Sequence, residues 1–407
     1  MVRTTRRAFV AAVAASAIAP AARAQTNPAR IRIGLLTDLS GPYRDTGGVS
    51  SIACARQAIT EMKGGMDVEL LVADHQQKTD VGLGIARQWL DRDGVDVIID
   101  VNNSAIALAV AGLVRDKDRM HLNTGAATSD LTGKSCNPNT AAWTTDTWCR
   151  AHGTAGAVLK GGGKTWFFIT ADYAFGHAIQ EDAAKVITAS GGSIVGSAQY
   201  PFPATSDFSA MLVQAGSSGA DVIAFANTGS DLANCIKQAR EFGLPHAGQR
   251  LVAMSGYITD VHAIGVEDGQ GLVLTENFYW DLNPRTRAFA ARVKDATMAN
   301  WPSTAHAAAY AATLHYLKVA ADMGPAQAKV SGAATMAAMK RRPTDDDCFG
   351  PGVLRADGRK IHPAYLFQVK SPKTSTGPWD LYTVAETIPA EQAFRPLSEG
   401  ACPMVPA

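Results

Sequence analysis

The feature that most constrains this chain is a repeat of short apolar runs alternating with stretches of helical period, which continues from Ile31 to Met254. The first set has strands over 31–36, 68–73, 95–100 and 120–122, with helices over 49–62, 81–90 and 105–114 between them. The second set follows a Trp- and Thr-rich connection at 143–148, with strands over 165–169, 194–199, 222–226 and 251–254 and helices over 175–190, 208–216 and 232–242. Strands that are apolar throughout belong to parallel sheets covered on both faces, where no side chain meets water. Each set therefore predicts a doubly wound α/β lobe. Ligands of such sheets sit beyond the carboxyl ends of the strands, and two facing lobes line those ends along one cleft.

The N-terminus reads as an export signal. Arg6-Arg7 followed by Phe9 fits the twin-arginine type, the apolar run to Ile18 is too short to span a bilayer, and Ala22-Arg23-Ala24 fits an A-x-A cleavage site. Residues 1–24 are set apart as a signal peptide, and the mature chain is expected in the periplasm. The remaining ~380 residues are too many for one ordinary core and suit two lobes. A net charge of +1 without a basic block excludes a nucleic-acid or anionic-membrane footprint.

Of the six cysteines, Cys136 and Cys149 lie in a turn-rich segment and form the expected local bridge; Cys54 and Cys235 fall on helices as buried thiols. No Cys/His grouping has metal-ligand spacing, so neither a metal nor a cofactor is expected. Catalytic templates also fail. Met254-Ser255-Gly256 lacks the first glycine of a nucleophile elbow, and Gly82-Leu83-Gly84 and Gly161-Gly162-Gly163 sit in the wrong context for phosphate loops. His75 has no nucleophile beside it by any readable spacing.

Five segments at strand ends carry binding chemistry instead. In Leu122-Asn123-Thr124-Gly125-Ala126-Ala127-Thr128-Ser129-Asp130, small residues leave backbone N–H groups open to a carboxylate, and Thr128 adds a hydroxyl; the same residues also suit a plain helix start. Tyr43, after the first strand, can stack on a ligand. Ser104 reads as an N-cap and Asn103 as an amide for a ligand carboxylate. Tyr173 is assigned to the ligand, with Phe175 beside it packing under its helix. In Asn227-Thr228-Gly229-Ser230-Asp231 the first two residues lean toward binding, and the last two toward the helix start.

Taken together, the residues resemble the substrate-binding proteins of ABC importers, branched-chain amino acid (Leu/Ile/Val) type. The resemblance is carried by Ile33-Gly34-Leu35-Leu36-Thr37-Asp38-Leu39-Ser40-Gly41-Pro42, the loop at 123–130, Asp172-Tyr173-Ala174-Phe175-Gly176, Ser206-Asp207-Phe208, Gln238-Ala239-Arg240-Glu241-Phe242-Gly243-Leu244 and Tyr310-Ala311-Ala312. It implies two Rossmann-like lobes, the type I periplasmic binding fold, joined by crossovers near 143–146, 278–281 and 348–352. Lobe 1 would then comprise 25–146 plus 280–347, lobe 2 would comprise 147–279 plus 348–384, and 385–407 would form a C-terminal extension. It also implies that Asn103, Ser104, Ala126, Ala127 and Thr128 hold a ligand carboxylate while aromatic side chains, from the Thr46 region and from Tyr173 to Phe175, line the rest.

One departure bears on the ligand. Members that bind amino acids hold the ammonium with an acid just after the strand matching 251–254, where this chain reads Ser255-Gly256-Tyr257 and Ser255 is expected to face the ligand instead, and usually with a Tyr in the segment reading Asn227-Thr228-Gly229 here. An ammonium enclosed without a counter-charge loses hydration unrepaid. The expected ligand is a carboxylate with an uncharged, aromatic or other organic body, unless Asp231 or Asp260 supplies the missing charge. The expected role is capture by a monomer and delivery to a permease. Amino-acid binding in the same role, an exported α/β enzyme and a receptor's sensing subunit are the alternatives.

Overall fold

The computed structural model describes residues 29–62, 66–245, 248–297 and 301–405. The proposed signal peptide lies outside them. Strands β1 (Ile31–Thr37), β2 (Val68–Asp74), β3 (Val97–Asp100), β4 (Met120–Asn123) and β5 (Thr140–Ala142) form a parallel sheet in the order β2-β1-β3-β4-β5. Strands β6 (Thr165–Ala171), β7 (Ser193–Tyr200), β8 (Val222–Ala226) and β9 (Arg250–Ala253) form a second parallel sheet in the order β7-β6-β8-β9. Both orders reverse direction at the first strand of their set, the switch point where a doubly wound sheet opens its crevice. β1, β3, β6 and β8 are buried along almost their whole length, as continuous apolar runs require.

β10 (Val273–Glu276), β13 (Ala364–Val369) and β14 (Tyr382–Ile388) make an antiparallel sheet that packs into the second lobe's core through Leu274, Phe367 and Tyr382. The helices Pro284–Val293 and Thr304–Met323 return to the first lobe, where Phe289, Tyr310 and Leu317 join its core. The chain thus crosses between lobes three times. At the crossovers Asn277 Nδ2 lies 2.9 Å from His362 Nε2, and Trp143 O lies 3.3 Å from the former and 3.2 Å from the latter. One residue from each crossover meets at this point.

Two expectations change. The third crossover falls at His362 and Pro363 rather than near 348–352. Cys348, Phe349 and Leu354 are buried in the first lobe's core, and the hairpin of β11 (Val353–Leu354) and β12 (Lys360–Ile361) bridges to that lobe at Ala142. Gly350-Pro351-Gly352 follows a turn at 347–349 and leads the chain into this hairpin, so this stretch turns within a lobe. The boundary at 384 also moves, because β14 runs on to Ile388.

The disulfide joins Cys136 to Cys402, not to Cys149, which is a buried free thiol against Ala393 and Phe394. The long-range bridge pins the C-terminal segment to the first lobe. Its loop spans 266 positions, the kind of closure that constrains an unfolded chain most, by roughly 5–6 kcal/mol on the chain-entropy account. No group of three or more potential metal ligands occurs among the described residues, and no helix there is long and apolar enough to cross a membrane.

Several histidines are buried without charge. His121 on β4 is fully buried with neither ring nitrogen hydrogen-bonded, and burial lowers its pKa to about 3; burial likewise lowers His362 to about 3 and His306 and His315 to about 4. An unfolded histidine takes a proton near pH ~6.5. Between that pH and the lower folded values the unfolded chain binds more protons, so stability falls as pH falls through this window. Urea unfolding at stepped pH should show this loss, and His121→Leu should flatten it; an unchanged pH slope in the variant would remove His121 as a cause.

Candidate ligand-binding cleft

The first lobe's half of the cleft is set by a kink at the end of β3. Asp100 and Val101 have φ of 73° and 61°, a left-handed conformation that costs a β-branched residue energy and marks sites where the surroundings impose it. The kink turns Asn102 back under the β1 loop. Its Nδ2 donates to Tyr43 O at 3.0 Å, and its Oδ1 accepts from Asp38 N at 2.9 Å and lies 2.8 Å from His75 Nε2. His75 is therefore a buried brace for this loop and not the solvated residue its loop position suggests.

The next two residues exchange the roles expected of them. Asn103 is the cap of helix Ser104–Asp116, its Oδ1 accepting from Ile106 N at 3.0 Å, while its Nδ2 donates to Gln77 and not into the cleft. Ser104 lines the cleft at the helix's positive end. Its Oγ also accepts from Thr128 N at 3.3 Å.

After β4, Asn123 ties the loop into shape by accepting from Ala126 N and donating to Ala126 O, at 3.0 and 2.7 Å. Gly125, Ala126 and Ala127 face the cleft. A Cβ on Gly125 would stand 2.5 Å from Asn102 Cβ, so glycine is what lets these two loops close together. Thr128 is turned away, its Oγ1 accepting from Asp130 N at the start of a short 3-10 turn.

The second lobe supplies Tyr173 and Phe175 at the start of helix Ala174–Ala189, Thr228 before helix Gly229–Glu241 and Tyr257 before helix Ile258–Ile264. The lobes meet around them. Tyr43 Oη and Tyr173 Oη are 2.7 Å apart across the cleft, both rings stack on Phe202, and Ser230 N donates to Pro42 O at 3.1 Å. Gly229, at φ 66°, has Pro42 O where a Cβ would be, so this contact also depends on glycine. The space enclosed, counted to its mouth, is about 270 Å³, which limits the ligand to a small molecule.

The charged group of the cleft is Arg150, at the end of the short helix Thr147–Arg150, and it is 1% exposed. Its Nε donates to Thr145 Oγ1 at 3.1 Å, its Nη1 to Ser255 Oγ and its Nη2 to Tyr257 Oη at 2.8 Å. A guanidinium has five N–H donors, so two are left over. It forms no ion pair among the described residues. Burial works against its charge, but the Tyr257 hydroxyl and Glu276 outweigh that and hold its pKa above the ordinary arginine value. Glu276 is fully buried, and burial raises it to about 8, so near neutral pH it mostly keeps its proton and leaves the arginine's charge open.

The other expected ligand residues and acids are committed elsewhere. Ser255 accepts from Arg150 and does not line the cleft, and Asn227 donates to Cys235 Sγ at 3.3 Å in the core. Asp231 accepts from Tyr200 Oη at 2.9 Å. Asp260 Oδ2 receives Thr228 Oγ1, Gly229 N and Tyr257 N at 3.0–3.1 Å. Neither acid lines the cleft. Eight of the twelve residues expected from sequence do line it, and Thr46, Asn102, Arg150 and Tyr257 are the additions. The sequence places Arg150 just after the first crossover, but no local pattern marks it as facing the cleft.

A family profile described as "Periplasmic binding protein" matches residues 30–377. The chain is similar to a periplasmic binding protein of known structure from Burkholderia mallei, with 40% identity and a TM-score of 0.88 over 92% of this chain and 99% of that one. At 40% identity and a TM-score of 0.79, with the same coverage, it is similar to a branched chain amino acid ABC transporter periplasmic ligand-binding protein from Burkholderia xenovorans LB400. It is also 25% identical over 335 residues, 79% of each chain, to Leu/Ile/Val-binding protein homolog 4 of Brucella melitensis. The chain belongs to the periplasmic binding protein family, branched-chain type. It is a substrate-binding protein and not an enzyme.

Tyr173→Phe tests the closure geometry. The variant keeps the stack on Phe202 but removes a cross-cleft hydrogen bond worth about 0.5–1.5 kcal/mol. Small-angle scattering should show a larger radius of gyration than for the parent; an identical radius would mean the tyrosine pair does not hold the lobes together.

Proposed function

We propose that this protein captures a small organic acid lacking an ammonium group and delivers it from the periplasm to an ABC permease. Arg150 is the observation that carries the reading. Where amino-acid binders of the family place an acid for the ammonium, this chain has Ser255, and Arg150 donates to Ser255. A cation therefore stands where an amino acid would bring a second cation. Like charges enclosed at close range cost several kcal/mol, while a carboxylate on the two spare N–H groups gains a charge-assisted pair. Ser104 and the loop at 125–127 offer further donors on the facing lobe, and Tyr43, Tyr173, Phe175 and Tyr257 surround an uncharged, preferably aromatic, body. The branched-chain amino acid named for the Burkholderia xenovorans relative favours a second reading, an amino acid in the same role. Asp260 would then have to give up its backbone donors to meet the ammonium.

Thermal unfolding of the mature protein against two panels separates these readings. One panel holds branched-chain and polar amino acids, the other aromatic and aliphatic carboxylic acids. A ligand at a hundred times its dissociation constant adds about 2.7 kcal/mol. The reading expects a shift with carboxylic acids only, and Arg150→Met should abolish it. Each charge-assisted bond lost is worth about 1.5–3 kcal/mol, so losing the two should lower affinity about a hundredfold or more while the ligand-free protein stays folded. A shift confined to amino acids, or one that survives in Arg150→Met, would overturn the reading.

A further inference from the structure

The two lobes frame a second space beside the cleft, a groove of about 880 Å³ counted to its mouth that shares no lining residue with it. Neighbouring residues of the same loops face the two spaces: Pro42 the groove and Tyr43 the cleft, Ser230 the groove and Thr228 the cleft. A thin partition stands between them. Tyr43 Oη and Tyr173 Oη meet at 2.7 Å, and Pro42 O accepts from Ser230 N at 3.1 Å. Phe202, just before the groove residue Pro203, backs the tyrosine pair. Its ring centroid lies 4.3 Å from that of Tyr173 at an interplanar angle of 14°, and 5.2 Å from that of Tyr43 at 29°. The loop that presents it is closed on itself, Thr205 Oγ1 donating to Pro201 O at 2.8 Å. A tyrosine stacked on one face and tied at its hydroxyl has no free rotamer to swing into.

We propose that Phe202 is the positioning residue that sets how long a ligand the protein holds: stacked on Tyr43 and Tyr173, it keeps the partition shut and so keeps a ligand's tail out of the groove. The proposal rests on the reading that this cleft holds the ligand, and it does not depend on the ligand's head group. The groove's chemistry defines the tail that would fit there. Among its described lining residues only Arg44 and Asp231 carry charge, and both are engaged, Arg44 with Asp45 and Asp231 with the Tyr200 hydroxyl. The polar remainder is amide and hydroxyl, as in Gln76, Asn234 and Ser206. An uncharged polar tail exchanges its water for these groups, an apolar tail leaves them unpaired, and a charged tail finds no free counter-charge. The excluded ligands are therefore those with a hydroxyl- or amide-bearing tail long enough to reach past the tyrosine pair.

The test titrates the mature parent and its Phe202→Ala variant, by calorimetry, with two series of increasing length. One series is benzoic acid, para-hydroxybenzoic acid and para-(hydroxyethoxy)benzoic acid; the other is alanine, glutamine and citrulline. In the parent, affinity should drop at the longest member of whichever series binds. In Phe202→Ala the longest member should gain about tenfold or more relative to the shortest, the scale on which a fitted pocket discriminates size. Phe202→Leu, which fills part of the space without stacking, should shift the ratio less, and it decides the matter if the alanine variant does not fold. A residue that merely held the lobes together would weaken every member alike. An unchanged long-to-short ratio in the variants therefore overturns the proposal. So does a parent that holds the longest members as tightly as the shortest, or one that binds neither series. If only the amino acids bind and their ratio shifts, the organic-acid reading fails while the role of Phe202 stands.

Discussion

The arrangement of the cleft depends on one buried guanidinium. Arg150 is almost wholly removed from water, holds three neutral hydrogen-bond partners and has no ion pair among the described residues. Taking an ion out of water costs several kcal/mol unless an opposite charge repays it. Opening the lobes would return the arginine to water, and closing them over an anion would return the missing charge. Closure over an empty or cation-bearing cleft would be repaid by neither. On the proposed function, the cleft's charge would bias the lobe equilibrium toward closure only when an anion is present, which is the differential affinity between two states that a capture protein needs.

The scaffold gives this charge a fixed address. Arg150 follows the first crossover by a single short helix, and that crossover is bound to both others through Trp143 O, Asn277 and His362. A second arginine, Arg359, donates to Thr144 O and pairs with Asp146 at 2.9 Å, both side chains nearly unexposed. Asp146 in turn caps the helix that carries Arg150, by accepting from Cys149 N at 2.9 Å. A buried ion pair thus fixes the start of the short helix whose last residue lines the cleft. The tie between the late hairpin and the first crossover explains why the segment from Cys348 to Ile361 stays with the first lobe.

Much of this was legible in the sequence, for a physical reason. Buried parallel strands must be apolar throughout, so the order of strands and helices, and the loops at their carboxyl ends, could be read directly. Eight of twelve expected residues line the cleft because position at a strand end is a property of the local pattern. What could not be read depends on contacts between distant segments. Asn103 and Ser104 exchanged roles because a left-handed kink at Asp100 and Val101, fixed by tertiary packing, shifted the helix start by one residue. Cys136 found Cys402, 266 positions away, instead of its neighbour Cys149. Arg150 was hidden because nothing in its own helix shows that Ser255 and Tyr257 come to meet it.

The most direct test of the account is to identify what the protein carries when purified from the periplasm of cells grown on a mixed carbon supply. Denaturing the washed protein and analysing the released small molecules by mass spectrometry reads the cleft's own choice. The account predicts an organic acid without an amino group, present in the parent and absent from protein carrying Arg150→Met. An α-amino acid released in stoichiometric amount would contradict it, because the cleft would then be closing over a second cation beside Arg150.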